Sequence, residues 1–322
     1  MKRMARILGD IDKTMLGIEV APWFAPIASK ADGYKVRTLD VFDKPTLIAR
    51  AKVDANLVDR DMGLLEEVDY VGSATEIAII VPPKDHGTFD YIVSSHNFEH
   101  LSNPIKFLQG CEKVLKTGGV LSMAVPDRRA CFDYFRPNTQ IGDWLDAYVA
   151  NRDRPTPRQV FDHRSKTALQ RQGKEQVGAF SLGVRPESVE LFGDLGDLYQ
   201  QFYLQPFGDD YQDAHCTVMT PNSLELLLIE ARQLGLFNCV IEHIGNLRGC
   251  EFYVRLRFGV PVEKLTSEQF LRQRHILQHR VLQDFIPQVA PGRGGIQRLF
   301  RTTPLSRKIR SFGRRLRGKP DH

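Results

Sequence analysis

The stretch Phe89–Asp127 constrains this chain more than any other. It reads FDYIVSSHNFEHLSNPIKFLQGCEKVLKTGGVLSMAVPD. A short apolar run comes first, then a loop, an amphipathic helical stretch, a Thr117-Gly118-Gly119 stop and a second apolar run. Unbroken apolar runs of this length suit strands covered on both faces, and covered strands joined through helices form parallel sheets. The same alternation extends both ways. Strands are predicted at Thr14–Val20, Tyr34–Asp40, Val68–Val71, Phe89–Ser95 and Val120–Val125, with helices at Pro45–Val53 and Asn103–Leu115. Further on, Thr220-Pro221 opens a helix that spans Ser223–Leu234 and ends at Gly235. Two last strands, Phe237–Glu242 and Glu251–Phe258, lack a long crossover, so they predict an antiparallel hairpin at the sheet edge. The fold class is therefore α/β, a doubly wound seven-stranded sheet.

Arg128–His215 breaks the pattern. It is rich in Arg, Asp, Gln and Tyr, and is punctuated by Pro155, Pro157, Gly183, Gly193 and Gly196. It reads as a large insertion after strand 5, the kind of segment that carries specificity. The expected division is a sheet domain over 1–127 and 216–260, the insertion over 128–215, a helical extension over 261–289 and a basic tail over 290–322. From Pro291 onward there are ten Lys or Arg and one Asp, against 34 basic and 38 acidic residues in the rest. Leu305, Ile309, Phe312 and Leu316 interleave those charges at helical spacing, which predicts a basic amphipathic helix suited to an anionic membrane surface. Few aromatics accompany the charges, so nucleic acid is not an expected partner. Five scattered cysteines offer no zinc-ligand spacing and suit a reducing cytoplasm. No metal is expected. No apolar run reaches membrane-spanning length, and the first residues carry no secretory h-region. Neither a Walker A pattern nor a GxGxxG after the first strand is present, which disfavours a nicotinamide-dependent oxidoreductase.

Phe89–Asp127 resembles the fourth strand, helix and fifth strand of class I S-adenosylmethionine-dependent methyltransferases of the type 11 group. HCTVMTPNSLELLL and RPTPRQVFDH resemble segments of bacterial members near glycan-synthesis genes, so the likeness spans about residues 14–258. It implies a Rossmann-like sheet, S-adenosyl-L-methionine as cofactor, and an SN2 methyl transfer to a small-molecule or glycan acceptor held by the insertion. A sugar hydroxyl of a surface glycan or its precursor is the expected acceptor. The alternative is a non-catalytic protein of this fold, acting as a scaffold or membrane-associated module.

In an open α/β sheet, ligands bind at the carboxyl ends of the strands. Glu19, Val20, Ala21 and Pro22 follow the first strand, where the family has a glycine-rich cofactor loop; Ala and Pro replace the glycines here. Asp40 ends the second strand, placed to take both ribose hydroxyls of a nucleoside. Ser73 and Ala74 follow the third strand, where the family commonly contacts adenine. Ser95 and His96 follow the fourth strand, beside the expected methyl group, and a neutral His96 is the candidate base for an oxygen acceptor. Glu99 suits the first turn of a helix. His163 and His215 have Asp162 and Asp213 beside them to orient their rings. Tyr134, Arg136 and Tyr203 are candidates for acceptor contact, and Asp127 either faces the acceptor or caps a turn.

Overall fold

The computed structural model describes residues 3–54, 57–173, 175–208 and 212–285. The linker and basic tail from 290 onward lie outside the described residues.

Ten strands are described. The main sheet contains β1 (Leu16–Val20), β2 (Lys35–Asp40), β3 (Tyr70–Val71), β4 (Phe89–Ser95) and β5 (Leu115–Pro126). A small sheet in the insertion contains β6 (Ala168–Gln172), β7 (Glu175–Val177) and β8 (Val189–Leu191), and the main sheet ends with β9 (Cys239–Ile244) and β10 (Glu251–Phe258). The order of the main sheet is β3-β2-β1-β4-β5-β10-β9. β1 to β5 pair in parallel, while β10 runs antiparallel to both β5 and β9. This is the doubly wound, Rossmann-like sheet with its antiparallel edge hairpin. Strand order reverses between β1 and β4, so the ligand-binding crevice opens at their carboxyl ends.

The helices are α1 (Arg3–Leu8), α2 (Lys44–Val53), α3 (Ile77–Ile80), α4 (Pro104–Val114), α5 (Ile141–Val149), α6 (Pro157–Ser165), α7 (Leu195–Tyr203), α8 (Pro221–Gln233) and α9 (Ser267–Gln283). One face of the sheet packs against α4, α5 and α8 through a continuous core that includes Ile92, Phe107, Trp144, Leu224 and Phe252. Trp144 belongs to the insertion, yet it sits in this core and its indole N–H donates to Thr217 Oγ1 at 3.1 Å. The insertion otherwise has small cores of its own, around Tyr134, Ala168, Phe180 and Val189, and around Val160, Phe202 and Ala214. α9 lies on α8 and is fastened at its end by Asp284. That carboxylate accepts from Arg129 Nη1 at 2.9 Å and Thr220 Oγ1 at 2.6 Å.

The opposite face departs from the alternation read in the sequence. No helix joins β1 to β2; residues 21–34 cross as a loop containing Pro22, Pro26 and Gly33. The cover comes instead from α1, whose Ile7 and Leu8 pack with Ile27, Ala28, Val36, Tyr91 and Tyr253. The sequence reading did not anticipate α1. Buried Glu19 holds the loop in place, accepting the Ile27 N–H at 2.6 Å and the Ala28 N–H at 2.9 Å. Gly17 is required where β1 meets β4, because a Cβ there would lie 2.1 Å from the Tyr91 ring.

Two local expectations are corrected. Thr117-Gly118-Gly119 does not stop α4, which ends at Val114 and passes directly into β5. These residues instead absorb the shift in pairing from Phe89 with Leu115 to Tyr91 with Val120, with Gly118 at a φ of 79°. Glu99 lies in a three-residue 3-10 turn, Phe98–His100, and the helix begins only at Pro104, after the Asn103 cap.

Candidate functional site

A cavity of about 670 Å³ opens at the carboxyl ends of β1, β2 and β4. That is within the usual range for a small-molecule site. Four loops, the end of α2 and the insertion line it: Val20, Ala21 and Trp23 after β1; Leu39 to Phe42 at the end of β2; Arg50, Val53 and Asp54 at the end of α2; Gly72 and Ala74 after β3; His96, Asn97 and His100 after β4; and Asp213.

Asp40 is 2% exposed. Its Oδ1 accepts the Phe42 N–H at 3.3 Å, while Oδ2 is buried with no hydrogen-bond partner. Desolvation lifts this carboxyl to about 6 against the opposing bonds from the Phe42 and Val41 backbone. A buried acceptor left open is costly unless something else fills it. Asn97, also on the cavity wall, has an unpartnered Oδ1 as well.

The loop after β1 lacks glycines but keeps glycine-like backbone angles. Ala21 has a φ of 51° and Trp23 a φ of 44°, both left-handed. Side chains other than glycine enter that region at a cost of about 1–2 kcal/mol per residue. His96 is the third such residue at the cavity, with a φ of 51°. Strain of this kind clusters where structure serves a site.

His96 sits between two carboxylates. Its Nε2 is 2.9 Å from Glu251 Oε2 and its Nδ1 is 3.4 Å from Glu99 Oε1. Burial opposes its charge, but the hydrogen bond to Glu251 and the attraction of the Glu99 carboxylate outweigh burial and raise the imidazole to about 9. At neutral pH the ring is therefore an imidazolium, and the neutral base expected from the sequence is not what these surroundings favour. Glu251 also takes both Arg3 Nε and Nη2 at 2.8 Å, and the Tyr253 hydroxyl at 2.7 Å. Desolvation is more than offset by these donors, and its carboxyl falls to about 2.

The remaining sequence candidates divide. Val20, Ala21, Asp40, Ala74 and His96 come together on the cavity wall. Glu19, Pro22, Ser73 and Ser95 are not among its lining residues. Glu19 is committed to the loop amides, and desolvation raises its carboxyl to about 7. Ser73 caps a 3-10 turn by accepting the Thr75 N–H, and Ser95 Oγ accepts from Arg3 Nη2 at 2.6 Å. Asp127 caps the turn at Arg128–Ala130 and pairs with Arg129. Arg136 is buried against Asp133 and the His215 carbonyl. Tyr134 is buried in the small insertion core, and Tyr203 stacks on Tyr199.

The orienting partners of the histidines also differ from the sequence neighbours. His215 Nδ1 meets Asp133 Oδ2 at 2.5 Å, and His100 Nδ1 meets Asp213 Oδ1 at 2.7 Å. Asp162 pairs with Lys166 and Arg158 instead. Sequence reading passed over Glu251, His100 and Asp133 as site residues. Their only signal was an acid or histidine near a strand end, and the histidines that Asp133 and Glu251 meet lie 82 and 155 residues away.

Residues 18–123 match the family described as the methyltransferase domain. No curated protein matches the chain. Among solved structures, a Rhodobacter sphaeroides protein described as a candidate Zn-dependent alcohol dehydrogenase is 12% identical, covering 79% of this chain and 88% of its own, at a TM-score of 0.43. A SAM-dependent methyltransferase from Aquifex aeolicus is 14% identical, with 80% and 89% covered, at 0.38. An S-adenosylmethionine-dependent methyltransferase from Mesorhizobium loti is 12% identical, with 78% and 95% covered, at 0.39. Likeness this remote does not bear on activity. What stands is narrower: the part of the chain that builds β1 to β5 is similar to a methyltransferase domain, and the cavity opens from its strand ends.

Proposed function

We propose that this chain is an S-adenosylmethionine-dependent methyltransferase whose cofactor occupies the cavity at the β1–β4 switch point. The observation that carries this reading is Asp40, a buried strand-end carboxylate with one oxygen open in the cavity wall. That oxygen fits a ribose hydroxyl, and the match of residues 18–123 to the methyltransferase domain supports the same cofactor. When bound, S-adenosylmethionine supplies a methyl group already activated on sulfur.

The chain's own contribution is then positioning and exclusion of water. Asp40 fixes the nucleoside end. Ala21 and Trp23, held left-handed, turn the β1 loop along the cavity wall, and Val20, Leu39 and Ala74 supply apolar surface. His96, as an imidazolium facing Glu251 and Glu99, keeps its protons toward the two carboxylates and lends the cavity wall a positive charge, and does not act as a base. The acceptor enters beside the insertion, where His100 and Asp213 complete the wall. A sugar hydroxyl of a surface glycan or its lipid-linked precursor remains our reading of the acceptor. The basic sequence of the tail supports peripheral contact with an anionic membrane face. Among the described residues no helix is long and apolar enough to cross a membrane. Five free cysteines suit a reducing cytoplasm.

Calorimetric titration with S-adenosylmethionine and S-adenosylhomocysteine tests the reading. Both bind the wild type, and Asp40→Ala weakens them by about 10- to 100-fold, the worth of a charge-assisted hydrogen bond. Absence of binding by the wild type overturns the enzyme reading in favour of a non-catalytic protein of this fold.

A further inference from the structure

We propose that Glu99, His100 and His215 form a binding site for a divalent transition-metal ion, zinc foremost, at the edge of the cavity. One ligand atom from each of the three lies within 4.8 Å of the other two. Glu99 Oε1 is 3.8 Å from His100 Nε2. Tetrahedral zinc ligands at about 2.1 Å from the ion stand about 3.4 Å apart, so the Glu99–His100 pair closes by about 0.4 Å and the widest pair by no more than about 1.4 Å.

Three independent features single out this group. First, Glu99 is 0% exposed, and neither of its carboxylate oxygens makes a hydrogen bond. A buried carboxylate in that condition demands a cation. The imidazoles it faces are His96 Nδ1 at 3.4 Å and His100 Nε2 at 3.8 Å. Second, each histidine has its Nδ1 against an aspartate: His100 on Asp213 at 2.7 Å and His215 on Asp133 at 2.5 Å. The His215 Nδ1–H given to Asp133 leaves a lone pair on Nε2, and this carboxylate–histidine arrangement is how metal-ligating imidazoles are fixed in tautomer and orientation, while Asp213 meets His100 as a charge contact without hydrogen-bond geometry. Third, the backbone holds the ligands in register. The Glu99 carbonyl accepts from Cys216 N at 2.6 Å and Thr217 N at 3.0 Å, which clamps the loop after β4 to the segment carrying His215.

A second grouping, Asp133 with His163 and His215, does not make an equal case. Asp133 is already engaged by Arg136 at 2.7 Å and by His215, and His163 Nδ1 accepts the His215 N–H. Two imidazoles and a carboxylate suit zinc, iron(II) or manganese(II) in preference to calcium or magnesium. Three protein ligands leave a coordination position open, and His100 places the site on the cavity wall. Resting on the methyltransferase reading, that position takes the acceptor hydroxyl. The O–H bond then breaks more readily, its proton passing to bulk water, and the oxygen keeps its electron pair for the methyl carbon as the carbon–sulfur bond breaks.

The test uses the full chain stripped with chelator. Zn²⁺ is titrated by calorimetry, and Co²⁺ by its visible absorption, which reports ligand geometry. One equivalent of each binds the wild type. His100→Gln and Glu99→Gln abolish the cobalt spectrum, and Asp213→Asn, at an exposed side chain, weakens binding about 10- to 100-fold. Should Glu99→Gln fail to fold, the His100 and Asp213 variants decide. No metal binding, or binding unchanged in these two variants, overturns the proposal and leaves a buried ion-pair cluster only. S-adenosylhomocysteine titrated separately distinguishes the two readings. Zinc binding without nucleoside binding keeps the metal site and discards only its role toward the acceptor.

Discussion

Single residues carry the most direct consequences. Asp40 titrates at about 6 because burial disfavours its charge. Its ionised form is the one that accepts two ribose hydroxyls well. Nucleoside affinity is therefore expected to fall as pH drops from 7.5 through 6 to 5, and Asp40→Asn should bind weakly with this dependence gone. Calorimetry across that range checks both. Ala21 offers a second outcome. At a φ of 51° glycine is freed of the left-handed penalty, while valine suffers more from it. Ala21→Gly should be as stable as the wild type or up to about 1 kcal/mol more stable, and Ala21→Val about 1–2 kcal/mol less, by denaturant unfolding. The glycine-poor β1 loop thus shows how far residue type can be read. Replacing glycines by Ala and Pro suggested altered geometry, yet the surrounding fold holds Ala21 and Trp23 at backbone angles that glycine favours. Asp40 was legible because a strand-end acid after the second strand has one natural place to go. Glu251 was not, because nothing local in EFYVRLRF says that its first residue meets Arg3 and His96.

Elements explain where the pattern held and where it failed. The strands were legible because apolar runs have few alternatives, and β4 and β10 were read to the residue. Gly118 was misread because a glycine with positive φ serves a strand irregularity as well as a helix end, and only pairing with β4 distinguishes them. α1 was missed since six residues are too short for a clear period. It nevertheless brings Arg3 onto Glu251 at the site. Glu251 is depressed to about 2, so its network contributes stability above the ordinary carboxylate range near 4.5 and loses it as pH falls toward 2. Glu251→Gln should flatten that part of the acid limb, measured as thermal midpoint against pH, while Arg3 keeps its hydrogen bond to Ser95 and α1 its apolar packing.

At the scale of the whole molecule, the insertion and the sheet domain share a core. The sequence placed Arg128–His215 outside the sheet pattern, since Arg- and Asp-rich composition hides one buried indole. Trp144 is 2% exposed, sits edge-on to Phe98 with centroids 6.0 Å apart, and donates to Thr217. Trp144→Ala should cost about 3–5 kcal/mol. Because α5 packs on α4 and α8, the loss should appear as a lower midpoint of the main unfolding transition and not as separate melting of the insertion, by calorimetric scan.

The helix-free crossover from β1 to β2 has a further consequence. Many doubly wound folds greet their ligand after the first strand with the amino end of a helix, whose partial positive charge welcomes phosphate. Residues 21–34 offer no such end. A pyrophosphate placed here finds no dipole to rest on, whereas a ligand with a cationic centre meets no repulsion from one. The crossover is thereby expected to favour a sulfonium nucleoside over a dinucleotide through what it leaves out.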